Sequence, residues 1–110
     1  MDWKQLTSVE DLDRAIIASE NVTVVLFKHS TRCSISRMAL KMFESAWDET
    51  YNDVEAYFLD LLQHRDVSNA IADRFNVRHE SPQMLILQGG KATFHASHHS
   101  IDVNHIKNYL

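Results

Sequence analysis

Cys33 is the only thiol in the chain, and it stands in Lys28-His29-Ser30-Thr31-Arg32-Cys33-Ser34-Ile35-Ser36, between an apolar run and an amphipathic one. A thiolate is the nucleophile of sulfur exchange. A cysteine at the start of a helix meets unpaired N–H groups and the positive end of the helix dipole, and both favour the ionised form. Thr31, Arg32, Ser34, Ile35 and Ser36 are read as the residues that support the thiol, with Lys28 and His29 adding charge nearby. The chemistry such a site can do is thiol–disulfide exchange, although a free cysteine can equally be a small buried hydrophobe. With no second cysteine there is no internal disulfide. Ser36 offers a hydroxyl that can donate to a thiolate but cannot displace a mixed disulfide, so any adduct on Cys33 must wait for an external thiol. Ser34 and Ser36 also have a plainer reading, as helix-start serines that serve only the backbone.

Several elements must hold this thiol. Val22 to Lys28 is short and β-branched, the pattern of a central strand covered on both faces. Ile35, Met38, Ala39, Met42, Phe43, Ala46 and Trp47 fall at helical spacing and predict a helix to about Glu49, with that whole face packed as core and Lys41, Glu44 and Asp48 in water. Thr7 with Glu10 reads as a capping box for a first helix from about Ser8 to Ser19, with Trp3 beneath it. After a turn at Asn52-Asp53, Val54 to Leu61 reads as a second strand, parallel to the first. Residues 64–75 place Val67, Ala70 and Ile71 on one helix face, with Asp66 as cap. Pro82 precedes Gln83 to Gln88, and Gly89-Gly90 joins that run to Lys91 to Ala96 as a hairpin. Asp102 caps a last helix with Val103, Ile106 and Leu110 facing inward. The order is α-β-α-β-α-β-β-α, an α/β fold with a four-stranded mixed sheet flanked by helices. No repeat or low-complexity tract interrupts it.

The segment from Lys28 to Ser36 resembles the active-site segment of the monothiol bacilliredoxins, small thioredoxin-like proteins of the bacillithiol system. Their pattern is a cysteine followed by Pro-Ile-Ser, entered from Lys-His-Ser-Thr. Cys33, Ile35, Ser36 and the lead-in from Lys28 to Thr31 match, while Ser34 stands where the family has proline. Proline there sets φ for the helix and serine is a good first-turn residue, so the exchange is expected to spare the fold, with retuning of the thiol left open. The resemblance implies a thioredoxin-like fold and Cys33 as the catalytic residue. It also implies bacillithiol as co-substrate with no bound cofactor, and S-thiolated proteins as clients. It further implies that Pro82 is cis beside the cysteine and that the backbone of Ser81 pairs with substrate. From sequence alone, a trans proline opening an edge strand is the alternative.

A chain of 110 residues with a formal charge of -4 makes one domain, residues 1–110, with no basic stripe for nucleic acid. No apolar run is long enough to span a bilayer, and Met1-Asp-Trp-Lys does not open a signal peptide, which together with the lone thiol leads to the expectation of a cytoplasmic monomer. His95, His98 and His99 match no closed zinc pattern, so no metal is expected. His29 and His79 flank the cysteine and proline loops and could tune the site or simply be solvated. Two other functions remain open on the same cysteine. One is an iron–sulfur cluster carrier, as in some monothiol glutaredoxins, whose Gly-Phe between cysteine and serine Ser34 and Ile35 do not match. The other is a redox-sensing adaptor whose cysteine is oxidised or capped.

Overall fold

The computed structural model describes all 110 residues. Its sheet has five strands in the order β1-β3-β2-β4-β5: β1 (Trp3–Gln5), β2 (Val24–His29), β3 (Glu55–Asp60), β4 (Gln83–Gln88) and β5 (Lys91–Ser97). The sheet is mixed as expected, but it has one strand more than the sequence suggested. β1 is three residues long, too short to show alternation, and it exists because it pairs in parallel with the outer side of β3, Trp3 opposite Ala56. β2 lies between β3, parallel, and β4, antiparallel, and every residue of it is buried.

The helices α1 (Val9–Ala18) and α3 (Arg65–Phe75) cover one face of the sheet, where Leu12, Ala15, Val67 and Ile71 close over Val24, Leu26, Leu59 and Leu85. Helix α2 (Ser34–Ala46) and a C-terminal 3-10 helix (Val103–Tyr109) cover the other, where Phe43, Val103 and Ile106 meet Val25, Phe27, Met84 and Ile86. Trp3 belongs to this second side and not beneath α1: its ring lies 5.8 Å from Phe27, 5.9 Å from Phe43 and 5.7 Å from Phe58.

Local chemistry explains where boundaries moved. The cap of α1 is Ser8, which accepts from the Asp11 N–H at 3.1 Å, while the Asp11 carboxylate accepts from both the backbone N–H and the hydroxyl of Thr7. The box is thus shifted by one residue. Helix α2 stops at Ala46, because Asp48 caps a separate 3-10 turn at Glu49–Tyr51. His64, not Asp66, occupies the cap position of α3. Gly89 and Gly90 both have positive φ, as a two-residue hairpin turn requires. The last segment is 3-10 because its apolar residues Val103, Ile106 and Tyr109 recur every third position, the period of that helix. Leu110 falls off this stripe and is 62% exposed, not inward.

The predicted apolar face of α2 is the largest correction. Phe43 is buried, Ala39, Leu40 and Trp47 pack partly against the core, but Ile35, Met38 and Met42 are 43%, 64% and 66% exposed and Ala46 is also exposed. A seven-residue stripe covers more of the helix than one sheet face can take, and the short C-terminal segment leaves the remainder open. Phe43→Ala is accordingly expected to cost about 3–5 kcal/mol in urea unfolding. Met38→Gln and Met42→Gln should each stay within about 0.5 kcal/mol.

Candidate functional site

Strand β2 runs through the middle of the sheet, and its C-terminal end delivers the chain to Cys33, the cap residue of α2. The intervening loop is held at several points. The Cys33 N–H donates to Ser30 O at 3.2 Å, the Arg37 N–H donates to Cys33 O at 3.0 Å, and the Arg37 guanidinium donates to Thr31 O at 3.1 Å. Cys33 is half-buried, free, and makes no capping hydrogen bond. The first N–H groups of a 13-residue helix open beside it, where an anion is favoured. Thr31, Arg32 and Ser34 are exposed around the thiol.

Ser36 is wholly buried, and its hydroxyl does not bond Cys33. It accepts from the Ser30 N–H at 3.0 Å and lies 2.8 Å from His29 Nδ1. Ser36 therefore ties the first turn of α2 to the end of β2. Burial holds His29 below the usual histidine range, opposed by the Asp60 carboxylate. Oδ1 of Asp60 is itself buried without a partner.

Pro82 reaches the same end of the sheet from the other side. Because β4 runs antiparallel to β2, with Gln83 opposite Lys28, the residues just before β4 lie where β2 gives way to the cysteine loop. The Ser81–Pro82 bond is cis, Pro82 is buried, and Ser81 Oγ is buried with no partner. Pro82 O accepts from the His98 N–H at 3.0 Å. His98 in turn lines a groove of about 200 Å³ with Ser34, Ile35, Met38, Met42 and His99. His98 thus joins the carbonyl of the buried cis-proline to a groove along the exposed side of α2 that begins at Ser34, the residue after the cysteine. His95 points outward from β5, and no group of three or more His, Cys, Asp or Glu side chains converges as a metal site.

Sequence reasoning passed over a buried polar seam on the opposite face of β2. Lys28 is completely buried, and its Nζ donates to His79 Nδ1 at 2.8 Å, with Ser68 Oγ 3.3 Å from the same nitrogen. His79 belongs to the segment leading to Ser81 and Pro82, so Lys28 anchors that segment from below. Burial lowers the Lys28 ammonium to about 8, and burial together with the Lys28 charge lowers His79. Gln83 donates to Arg78 O at 3.0 Å and leaves Oε1 buried without a partner. The signal was present in the sequence: Lys28 and His29 continue a run that is otherwise apolar and wholly covered.

This geometry matches known proteins. A solved structure described as a candidate oxidoreductase with a thioredoxin fold is 33% identical, covers 94% of this chain and 89% of its own, and superimposes with a TM-score of 0.80. Thioredoxin O2 from Arabidopsis thaliana, at 21% identity, and the Fasciola hepatica thioredoxin, at 16%, give TM-scores of 0.71 and 0.74. They cover 97% and 96% of this chain and 90% and 94% of their own, and at these identities they speak for the fold alone. Residues 4–106 match the family described as Monothiol bacilliredoxin BrxC. The chain is a thioredoxin-fold protein with a thiol–disulfide redox site, and it belongs to the monothiol bacilliredoxin family.

Proposed function

We propose that the protein removes a low-molecular-weight thiol, bacillithiol, from mixed disulfides on client proteins, acting as a cytoplasmic monomer. The observation that carries this reading is the pairing of a half-exposed Cys33 at the start of α2 with a buried serine, not a second cysteine, at position 36. In the first step the Cys33 thiolate attacks the small-thiol sulfur of the client disulfide. A new disulfide forms on Cys33, and the client sulfur leaves as a thiolate and takes up a proton. In the second step an external thiolate attacks the adduct, regenerates Cys33 and leaves as the oxidised small thiol, so the reducing electrons come from outside the protein. Monomeric action is supported by a site built wholly from β2, α2 and the segment before β4 of one chain. The choice of bacillithiol rests on family membership.

Intact mass spectrometry after mixing the reduced protein with a bacillithiol-capped client tests the proposal. The cap is expected to leave the client and appear on Cys33. A client that keeps its cap while Cys33 stays unmodified rejects the reading. A glutathione-capped client run in parallel shows whether it is the thiol or the exchange itself that fails.

A further inference from the structure

The chain carries a formal charge of -4, yet no aspartate or glutamate occurs between Glu20 and Glu44, a span that holds Lys28, Arg32, Arg37 and Lys41. Lys28 is buried on the other face of the sheet. Arg32, Arg37 and Lys41 are exposed, and none is paired with a carboxylate: the ion pairs of the chain are Arg14–Asp11, Arg74–Asp13 and His98–Glu80. Nearby acids are engaged elsewhere, Glu44 with the Trp3 ring N–H at 2.8 Å and Glu80 with the Ser97 hydroxyl and His98.

Position makes this positive charge local to the thiol. Arg32 directly precedes Cys33. The Arg37 N–H donates to Cys33 O at 3.0 Å and its guanidinium to Thr31 O at 3.1 Å, so the side chain folds back onto the loop that carries the cysteine. Lys41 follows Arg37 by one turn on the same side of α2. We propose that Arg32, Arg37 and Lys41 select a carboxylate-bearing small thiol as the co-substrate exchanged at Cys33, with the Arg37 guanidinium as the receiving group.

Thr31 O takes one of the five guanidinium N–H donors, and the fork that remains matches a planar carboxylate. The three cations need not touch the sulfur, because charge acts over about 8 Å at physiological ionic strength and further at low salt. The sign of the effect is diagnostic. A thiolate by itself repels an anionic disulfide, so a preference for carboxylates requires cations around it. The step remains ordinary exchange: the Cys33 thiolate attacks one sulfur, a mixed disulfide forms, and the other half leaves as a thiolate and takes up a proton. The inference deepens the function proposed above and rests on Cys33 as the exchanging thiol.

The test is the rate of Cys33 with three aliphatic disulfides of different charge: 3,3′-dithiodipropionate, a dianion; bis(2-hydroxyethyl) disulfide, neutral; and cystamine, a dication. Dividing each rate by that of 2-mercaptoethanol with the same disulfide removes its intrinsic reactivity. At low salt the wild type should prefer the dianion over the neutral disulfide about fivefold and disfavour the dication by a similar factor, and high salt should erase the order. Arg37→Gln should cut the preference about twofold and Arg37→Glu should abolish or reverse it. Arg32→Gln, which leaves the bond from Arg37 to Thr31 in place, should also cut it about twofold. Because the preference is a ratio within one variant, a changed thiolate fraction or a loosened loop cancels. Equal normalised rates, or a preference that salt and the variants leave unchanged, overturn the proposal while Cys33 exchange stands. No reaction with any of the three overturns both. If the order is absent here but capped clients with acidic flanks react faster than neutral ones, the charge serves the client and the proposal falls.

Discussion

Replacing Cys33 by serine is expected to stop transfer completely, and replacing Ser36 by cysteine is expected to remove the requirement for a second external thiol. The first follows from the count of thiols: Cys33 is the one sulfur that can carry an adduct, and a serine hydroxyl at the same place is neither appreciably ionised nor a disulfide former. The second follows from position. Residues 33 and 36 are three apart across the start of α2, a separation of about 5–6 Å between Cβ atoms at helical spacing that small backbone shifts bring into disulfide range. The new thiol would attack the adduct on Cys33 from within the molecule and expel the small thiol. Mass spectrometry of the pre-loaded variant, with no reductant added, should show the adduct replaced by a protein two mass units lighter than its reduced form. A persistent adduct would show that the buried site of Ser36 cannot deliver a sulfur to Cys33. Because the Ser36 hydroxyl also holds Ser30, the variant is expected to fold with a somewhat looser loop.

Lys28→Met is expected to raise stability by about 2 kcal/mol near pH 7. Lys28 titrates at about 8 in the fold against an ordinary value of 10.5. Between those values the unfolded chain holds a proton that the folded chain has lost, so stability rises with pH across that window. Below it the fold carries the full cost of a buried ammonium, about 3 kcal/mol by linkage, offset in the comparison by the loss of the bond to His79. Urea unfolding near pH 7 and near pH 10 should show the advantage of the variant shrinking as the pH rises, because only the wild type is relieved by deprotonation. A variant less stable than wild type near pH 7 would mean that the His79 bond outweighs burial of the charge. The same variant should slow transfer, since it cuts the anchor beneath the segment that leads to Ser81 and Pro82.

The thiol, its helix and the strand feeding it were legible because each is a local pattern: one cysteine, one periodic stripe, one β-branched run. The glycine pair gave the hairpin for the same reason. Tertiary context decided the rest. β1 is three residues that become a strand because β3 has a free edge. Met38 and Met42 satisfy the helical period as well as Phe43 does, and nothing in the sequence says that the C-terminal segment would be too short to cover them. The pairings of His29 with Ser36 and of Lys28 with His79 join residues 7 and 51 positions apart, and no motif foretells them. The fold resemblance did anticipate the cis bond at Pro82, which single-sequence statistics would have left trans.

The exposed methionines have one more consequence. Two thioethers stand in solvent about one and a half and two and a half helical turns beyond Cys33, within reach of the same oxidants that make mixed disulfides. Conversion to sulfoxide there would turn a soft apolar strip polar without opening a cavity, because neither side chain is part of the core. The surface beside Cys33 can therefore record oxidative damage while the fold stays intact, and methionine sulfoxide reductases, not refolding, would be what restores it.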